Sequence, residues 1–258
     1  MPGVKDRVVL VTGASRGIGL ATARLFISQG AIVMAVSRSE ADLLSTGLPN
    51  YFAADLSDED GCRAAVQETV ERLGPIDVLV CNHGMGSALE EPIHKHTETG
   101  VGPVNTWKES MKTNLEGPYH LTRHVIPGMA QRGYGRCVYT SSTAAIEAEP
   151  ASVGYNISKA GLLGLMRSVC IDEGRHGITA NAVLPGWVRT EMSEYSAEEE
   201  ALERGMTTEK IWEERAALYP PKRVVMPEEV AHTILFLASE ESSGVSGESI
   251  RVSLGCPW

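Results

Sequence analysis

The sequence predicts an α/β fold in which an open parallel sheet is wrapped on both faces by helices. Runs of β-branched and aliphatic residues at 7–11, 31–36 and 76–81 have the continuous apolar character of strands buried on both sides. Longer segments of helical character separate them, and strand-helix alternation of this kind builds a parallel sheet. The first strand runs directly into Thr12-Gly-Ala-Ser-Arg-Gly-Ile-Gly19, a turn carrying three glycines ahead of a helix. Such a turn suits a phosphate group.

In this turn Gly13 lets the chain reverse sharply, while Gly17 and Gly19 carry no side chain where backbone must approach a pyrophosphate. Ser15, Arg16 and Ile18 complete it, and the amides that open the next helix point toward the phosphates. The competing reading is a tight strand-to-helix turn with no ligand. A helix at 20–29, stopped by Gly30, and a strand at 31–36 complete a β-α-β unit. The residue just past that strand should meet an adenosine ribose. A carboxylate there would accept hydrogen bonds from a 2′-hydroxyl and repel a 2′-phosphate, yet the chain supplies Ser37 and Arg38. With Arg16 reaching from the turn, two guanidinium groups can bracket a phosphate, which favours NADP over NAD. Otherwise both arginines are solvated loop residues.

The pattern then repeats. Residues 51–54 read as a third strand, followed by Asp55-Leu56 and a helix from Ser57, taken as its cap, to Leu73. The strand at 76–81 ends in Asn82-His83-Gly84. Asp55 and Asn82 thus fall at C-terminal strand ends, where sheets of this type bind ligands. A helix at 106–132 carries Asn114 and bends near Gly117-Pro118. A fifth strand at 136–140 ends in Ser141-Ser142. A helix at 153–176 stops at Gly177, and a sixth strand at 178–184 leads into Pro185-Gly186-Trp187-Val188-Arg189-Thr190. Residues 227–239 read as the last helix and 248–252 as the last strand.

The helix at 153–176 carries the pair on which chemistry turns. Tyr155 and Lys159 are four residues apart, so they share one helix face with β-carbons about 5–6 Å apart. A nearby cation favours the phenolate form of a tyrosine, whose pKa is ordinarily about 10, and so prepares it for proton transfer at neutral pH. Taken alone, such a pair also occurs on solvated helix faces.

Composition narrows the partners. The 258 residues are 43% hydrophobic, with 33 Asp and Glu against 23 Lys and Arg for a net charge of -10. That balance argues against nucleic acid or an anionic membrane surface as partner. No apolar run approaches the roughly 18–20 residues of a membrane span, and the N-terminus enters a strand pattern without a leader, so a cytoplasmic location is expected. The five cysteines, Cys62, Cys81, Cys137, Cys170 and Cys256, lack paired short spacings and read as free buried thiols, with no metal site expected.

Thr12-Gly-x-x-x-Gly-x-Gly19, Asn82-x-Gly84, Asn114, Ser142, Tyr155-x-x-x-Lys159 and Pro185-Gly186 stand in one series, with Ser142 thirteen residues before Tyr155 and Asn114 twenty-eight before Ser142. In this order and spacing the chain resembles the short-chain dehydrogenase/reductase family over essentially its whole length. The resemblance implies a single Rossmann-type, doubly wound domain over residues 1–258 with about seven parallel strands, a substrate lid at 191–222, and a homotetramer or homodimer formed through the long helices. It implies an oxidoreductase that interconverts a carbonyl compound and an alcohol using NADP(H), or less readily NAD(H). On this resemblance Asn114, Ser142, Tyr155 and Lys159 form a catalytic tetrad. Tyr155 is the general acid or base, Lys159 lowers its pKa and holds the nicotinamide ribose, Ser142 binds the substrate oxygen, and Asn114 places a water that links Lys159 to solvent. Asp55 and Leu56 lie near the adenine, Asn82 and Gly84 along the adenosine side, and Pro185, Gly186, Val188 and Thr190 near the carboxamide. The spacing to Tyr155 selects Ser142 over Ser141.

Departures from the family pattern bear on substrate. The segment from Asn82 to Asn114 is long, its extra length holding His94 and His96, which read as solvated rather than as metal ligands. His83 replaces a small residue and either crowds the cofactor cleft or faces solvent. The acidic stretch at 194–200 and the run around Ile211, Trp212 and Leu218 belong to the expected lid. Together with Glu147 and Glu149, that lid is expected to disfavour anionic thioesters and leave small neutral ketones, aldehydes or alcohols as substrates.

Overall fold

A computed structural model describes residues 2–86 and 103–256. Seven parallel strands form one sheet in the order β3-β2-β1-β4-β5-β6-β7. They are β1 (Val8–Thr12), β2 (Ile32–Ser37), β3 (Tyr51–Ala53), β4 (Val78–Cys81), β5 (Gly135–Thr140), β6 (Ile178–Pro185) and β7 (Ser249–Val252). The helices are α1 (Gly17–Ser28), α2 (Glu40–Ser45), α3 (Glu59–Leu73), α4 (Pro103–Met111), α5 (Gly117–Arg132), α6 (Val153–Glu173), α7 (Glu191–Arg204), α8 (Thr208–Ala217) and α9 (Pro227–Ala238).

Alternate strand residues feed two apolar layers, because successive side chains leave a strand on opposite faces. Val8 and Leu10 pack with Leu121, Leu162 and Met166 from α5 and α6, while Val9 and Val11 pack with Phe26 and Ile234 from α1 and α9. Strand order reverses between β1 and β4, so a crevice opens above the C-terminal ends of these two strands. Cys62, Cys81, Cys137 and Cys256 are buried free thiols and Cys170 is half-buried.

Three expected details change. The cap of α3 is Asp58, whose Oδ1 accepts from the Gly61 amide at 2.7 Å. Ser57 is diverted because its own amide donates to Asp55 Oδ1 at 2.9 Å. The six-residue α2 has no counterpart in the sequence reading; it is too short for periodicity to show, and Ser39 starts it by accepting from the Asp42 amide at 3.2 Å. The helix expected at 106–132 is α4 and α5 joined by a π-helical turn, Lys112–Glu116. Pro118 has no N–H for the carbonyl of Asn114 four residues back, so the α-ladder is interrupted there, and single π turns of this kind recur at functional sites.

Candidate active site

A cleft of about 1140 Å³ crosses the C-terminal edge of the sheet, from Arg38 and Asp55 at one end to Tyr155, Trp187 and Met192 at the other. Of the residues expected to hold cofactor or act in catalysis, Gly19 and Asn114 stay behind its wall; the others line it. Gly19 is also required by packing, since a Cβ there would collide with the Gly13 carbonyl and press the Asn82 amide at 2.6 Å. Gly17 has φ +52°, a left-handed conformation that favours glycine.

The turn is tied to the neighbouring strand end. Asn82 Nδ2 donates to the carbonyls of Thr12 at 3.2 Å and Gly13 at 3.4 Å, and its backbone N–H donates to Thr12 Oγ1 at 3.0 Å. Ser15 and Ser37 share a hydroxyl contact of 3.0 Å, joining the turn to the end of β2. Beside that contact the side chains of Arg16 and Arg38 are exposed, and neither has a hydrogen-bond or ion-pair partner among the described residues. Asp55 is held below the usual carboxylate range by hydrogen bonds from Ser57 and, to a lesser extent, by the charge of Arg38. A turn with open amides flanked by two available guanidinium groups fits a nucleotide bearing an extra phosphate.

At the opposite end the Tyr155 hydroxyl hydrogen-bonds the Ser142 side chain. Ser142 is fixed by accepting from the Ala144 amide at 3.1 Å, whereas Ser141 is buried and donates to the Lys159 carbonyl at 2.8 Å. Packing thus gives the two serines different partners. Burial pushes the Tyr155 phenol up to about 12, the hydrogen bond from Ser142 only partly opposing it and Glu149 adding to it. Burial thus outweighs the lowering expected from Lys159. Its Nζ lies 5.7 Å from the Tyr155 ring centroid and donates to the Thr140 carbonyl at 3.0 Å. Burial lowers Lys159 itself to about 8. In this arrangement Tyr155 keeps its proton at neutral pH.

Asn114 is fully buried and works as a clamp. Its Oδ1 accepts from the Met85 amide at 2.8 Å; its Nδ2 donates to the Met85 carbonyl and to Ser158 Oγ, each at 3.1 Å. It therefore joins the loop after β4 to the helix that carries Tyr155 and Lys159. A Cβ on Gly84 would stand 3.0 Å from Asn114 Oδ1 and 3.3 Å from Lys159 Nζ, so only glycine leaves both polar groups open there. Asn156 was missed by sequence reasoning. Its side-chain amide exchanges two hydrogen bonds with the backbone of Glu149, at 3.2 and 2.9 Å, and fastens the loop before α6 to the helix's first turn.

His83 lines the cleft and is half-buried, its ring turned to the phosphate turn. Its Nδ1 bonds Thr12 Oγ1 at 2.8 Å, and its Nε2 is buried with no hydrogen-bond partner among the described residues. Burial, assisted by the Lys159 charge, lowers its pKa from 6.5 to about 3. Below pH 6.5 the unfolded chain takes up a proton that the folded protein refuses. The cofactor-free protein should therefore lose about 1.4 kcal/mol per pH unit from this group as pH falls toward 3. Thermal unfolding of His83→Ala across that range should show a correspondingly shallower loss; an unchanged slope would contradict the buried neutral imidazole.

The segment expected to form a lid holds α7 and α8, with Ile211 and Trp212 buried and Leu218 51% exposed. Glu147 is paired with Arg251 at 3.0 Å, which removes it from the expected anion barrier, while Glu149 lines the cleft. His94 and His96 lie outside the described residues.

A doubly wound parallel sheet with a glycine-rich turn at one end of its crevice and a Ser-Tyr-Lys cluster at the other fits a nicotinamide-nucleotide-dependent oxidoreductase. The family model described as "Enoyl-(Acyl carrier protein) reductase" matches residues 13–256. The chain is 34% identical over 260 residues to 3-oxoacyl-[acyl-carrier-protein] reductase FabG of Thermotoga maritima, covering 98% of each chain. It is 34% identical over 254 residues to acetoacetyl-CoA reductase of Paracoccus denitrificans, covering 96% of this chain and 97% of the relative. Among solved structures, a variant of actinorhodin polyketide ketoreductase with NADPH superposes with a TM-score of 0.90 at 31% identity, covering 97% of both chains. The protein belongs to the short-chain dehydrogenase/reductase family and is an enzyme acting on C=O and CH–OH groups. No helix among the described residues is long and apolar enough to cross a membrane.

Proposed function

We propose that this oxidoreductase reduces a small neutral ketone or aldehyde to its alcohol, and runs the reverse reaction, with NADP(H) as its cofactor. The Ser142–Tyr155 hydroxyl pair on the cleft wall carries the reading. A nicotinamide cofactor bound in the cleft supplies or accepts the hydride. Tyr155 holds a proton at neutral pH and delivers it to the carbonyl oxygen, while Ser142 donates a hydrogen bond to that oxygen as charge develops on it. Lys159 supports the tyrosine as it loses its proton and holds the ribose hydroxyls. Asn114, in the π turn, marks the inner end of a proton path from Lys159 to solvent. Gly13, Ser15, Gly17 and Ile18 seat the phosphates; Arg16, Ser37 and Arg38 select the 2′-phosphate; Asp55, Leu56, Asn82 and Gly84 lie along the adenosine; Pro185, Gly186, Val188 and Thr190 lie at the carboxamide.

A neutral substrate is supported by the carboxylate of Glu149 and the apolar faces of Trp187 and Met192 at the mouth. The names of the relatives favour a second reading, reduction of a 3-oxoacyl thioester. Purified protein with NADPH, assayed against a 3-oxoacyl thioester and its neutral ketone analogue by loss of reduced-nicotinamide absorbance, separates the two. Equal or faster turnover of the thioester moves the assignment to the second reading. Absence of any turnover, with NADPH still bound, removes both and leaves a cofactor-binding regulator.

The Lys159 ammonium is charged below about pH 8 and neutral above it. The kcat/KM for reduction should therefore fall as pH rises through about 8, and Lys159→Arg, which stays charged throughout, should lose that limb while keeping a lower plateau. A limb of unchanged position in the arginine variant would assign it to another group. The long helices offer an assembly surface, since Tyr119 on α5 and Ile157 and Ile171 on α6 are exposed. Sedimentation should find a homotetramer or homodimer.

A further inference from the structure

Trp187 follows the Pro185-Gly186 turn, and its indole forms part of the mouth of the cleft. β6 ends at Pro185, so the sheet does not itself hold this side chain. Tyr219 anchors the backbone, its hydroxyl accepting from the Trp187 amide at 2.6 Å. The indole is met by a charge. The guanidinium carbon of Arg215, on α8, lies 3.8 Å from the Trp187 ring centroid and 5.1 Å from that of Trp212.

Arg215 is 5% exposed and is itself no part of the cleft lining. Its Nη1 donates to the Ser193 carbonyl at 3.1 Å, and its Nη2 donates to Ser196 Oγ at 3.2 Å and to Glu200 Oε2 at 2.9 Å. Ser193 and Ser196 line the mouth together with Trp187. One guanidinium therefore touches three residues of the mouth from behind, one through its flat face and two through its N–H groups.

The apolar contacts between α7 and α8 are slight by comparison. Ala197 and Ala201 meet Ile211 and Trp212 in a small cluster separate from both layers on the sheet. Alanine contacts are non-directional and leave the orientation of a helix pair loosely defined, whereas the planar fork of arginine fixes both angle and distance. The Glu200 carboxylate and the indole faces offset part of the cost of burying the charge, while Arg215 Nε stays buried with no hydrogen-bond partner among the described residues.

We infer that Arg215 is a positioning residue for substrate selection, holding α7, α8 and the Trp187 indole as one wall whose placement decides which carbonyl compounds reach Tyr155. The inference rests on the reductase reading of the cleft. Lysine cannot replace it, because a point charge has neither the flat face nor the fork.

The test compares wild type with Arg215→Lys, using NADPH with a short acyclic ketone and a bulky cyclic ketone, and measures amide hydrogen exchange on the same proteins. The ratio of kcat/KM between the two ketones should move about tenfold toward unity, carried by KM while kcat stays within about twofold. Exchange should accelerate in α7 and α8 and stay unchanged in the sheet. In a Trp187→Ala background the lysine substitution should add nothing to the ratio. An unchanged ratio, a loss carried by kcat, or additive effects in the double variant would overturn the inference. If wild type turns over neither ketone, the reductase reading fails separately, and unchanged exchange in α7 and α8 would overturn the lid role by itself. If the lysine variant does not fold, Glu200→Gln removes one tether and should shift the ratio in the same direction by about threefold; no shift would count against Arg215.

Discussion

Tyr155→Phe should lower carbonyl reduction by about 10³-fold, within the range that a positioned general acid contributes. The substitution removes one oxygen and keeps the ring, so the packing of α6 against the sheet stays as it is. Ser142 also stays in place, because the Ala144 amide holds its hydroxyl from the other side. NADPH affinity should therefore remain within about twofold of wild type, since the lost hydroxyl faces substrate rather than the phosphate turn. The elevated tyrosine pKa sharpens the expectation: a group pushed up to about 12 is a proton donor across the working range. Single-turnover reduction and fluorescence titration with NADPH give the two quantities. Residual turnover above about a tenth of wild type would overturn the assignment of the proton donor.

Arg38→Asp should reverse cofactor preference. In wild type an exposed guanidinium follows β2 with no ion-pair partner among the described residues, and the contact between Ser15 and Ser37 puts hydroxyls rather than a carboxylate at the end of that strand. Removing a charge-assisted contact to a 2′-phosphate costs about 1.5–3 kcal/mol, and putting a carboxylate in its place adds repulsion. The ratio of kcat/KM for NADPH over NADH should fall by about 100-fold, with NADH gaining through hydrogen bonds to its free 2′-hydroxyl. Arg16 remains on the other side, so NADPH binding should weaken rather than vanish. Parallel kinetics with the two cofactors read the ratio directly. An unchanged preference would mean that this loop does not contact the ribose, and would return the arginines to the role of solvated charges.

The elements that build the sheet were legible because each strand is a short apolar run and each connecting helix is long enough to show its period. Misreadings fell where local chemistry competes. Ser57 and Asp58 are both good caps, and the choice went to Asp58 because Asp55 had already captured the Ser57 amide. The single helix expected over 106–132 became two helices and a π turn, since the effect of Pro118 on the Asn114 carbonyl depends on what α6 and the loop after β4 require of that side chain. Gly19 shows the same limit. Its spacing suggests a phosphate, and nothing in that spacing shows that a side chain there would also strike the Gly13 carbonyl.

By itself the sequence determined the alternation of strand and helix, the phosphate turn and the separation of Ser142, Tyr155 and Lys159, because these depend on residue type and on distances along one chain. Tertiary structure alone decided how the site behaves. The pKa values of Tyr155, Lys159 and His83 are governed first by burial, which no local pattern reports. The pairing of Glu147 with Arg251 joins residues about a hundred positions apart and cancels a charge that the sequence counts at full strength. Trp187 and Arg215, with the Ser193 and Ser196 contacts between them, meet only because α7 and α8 fold back over the mouth, so the residue that sets the substrate wall has no mark in the motif that announces the chemistry.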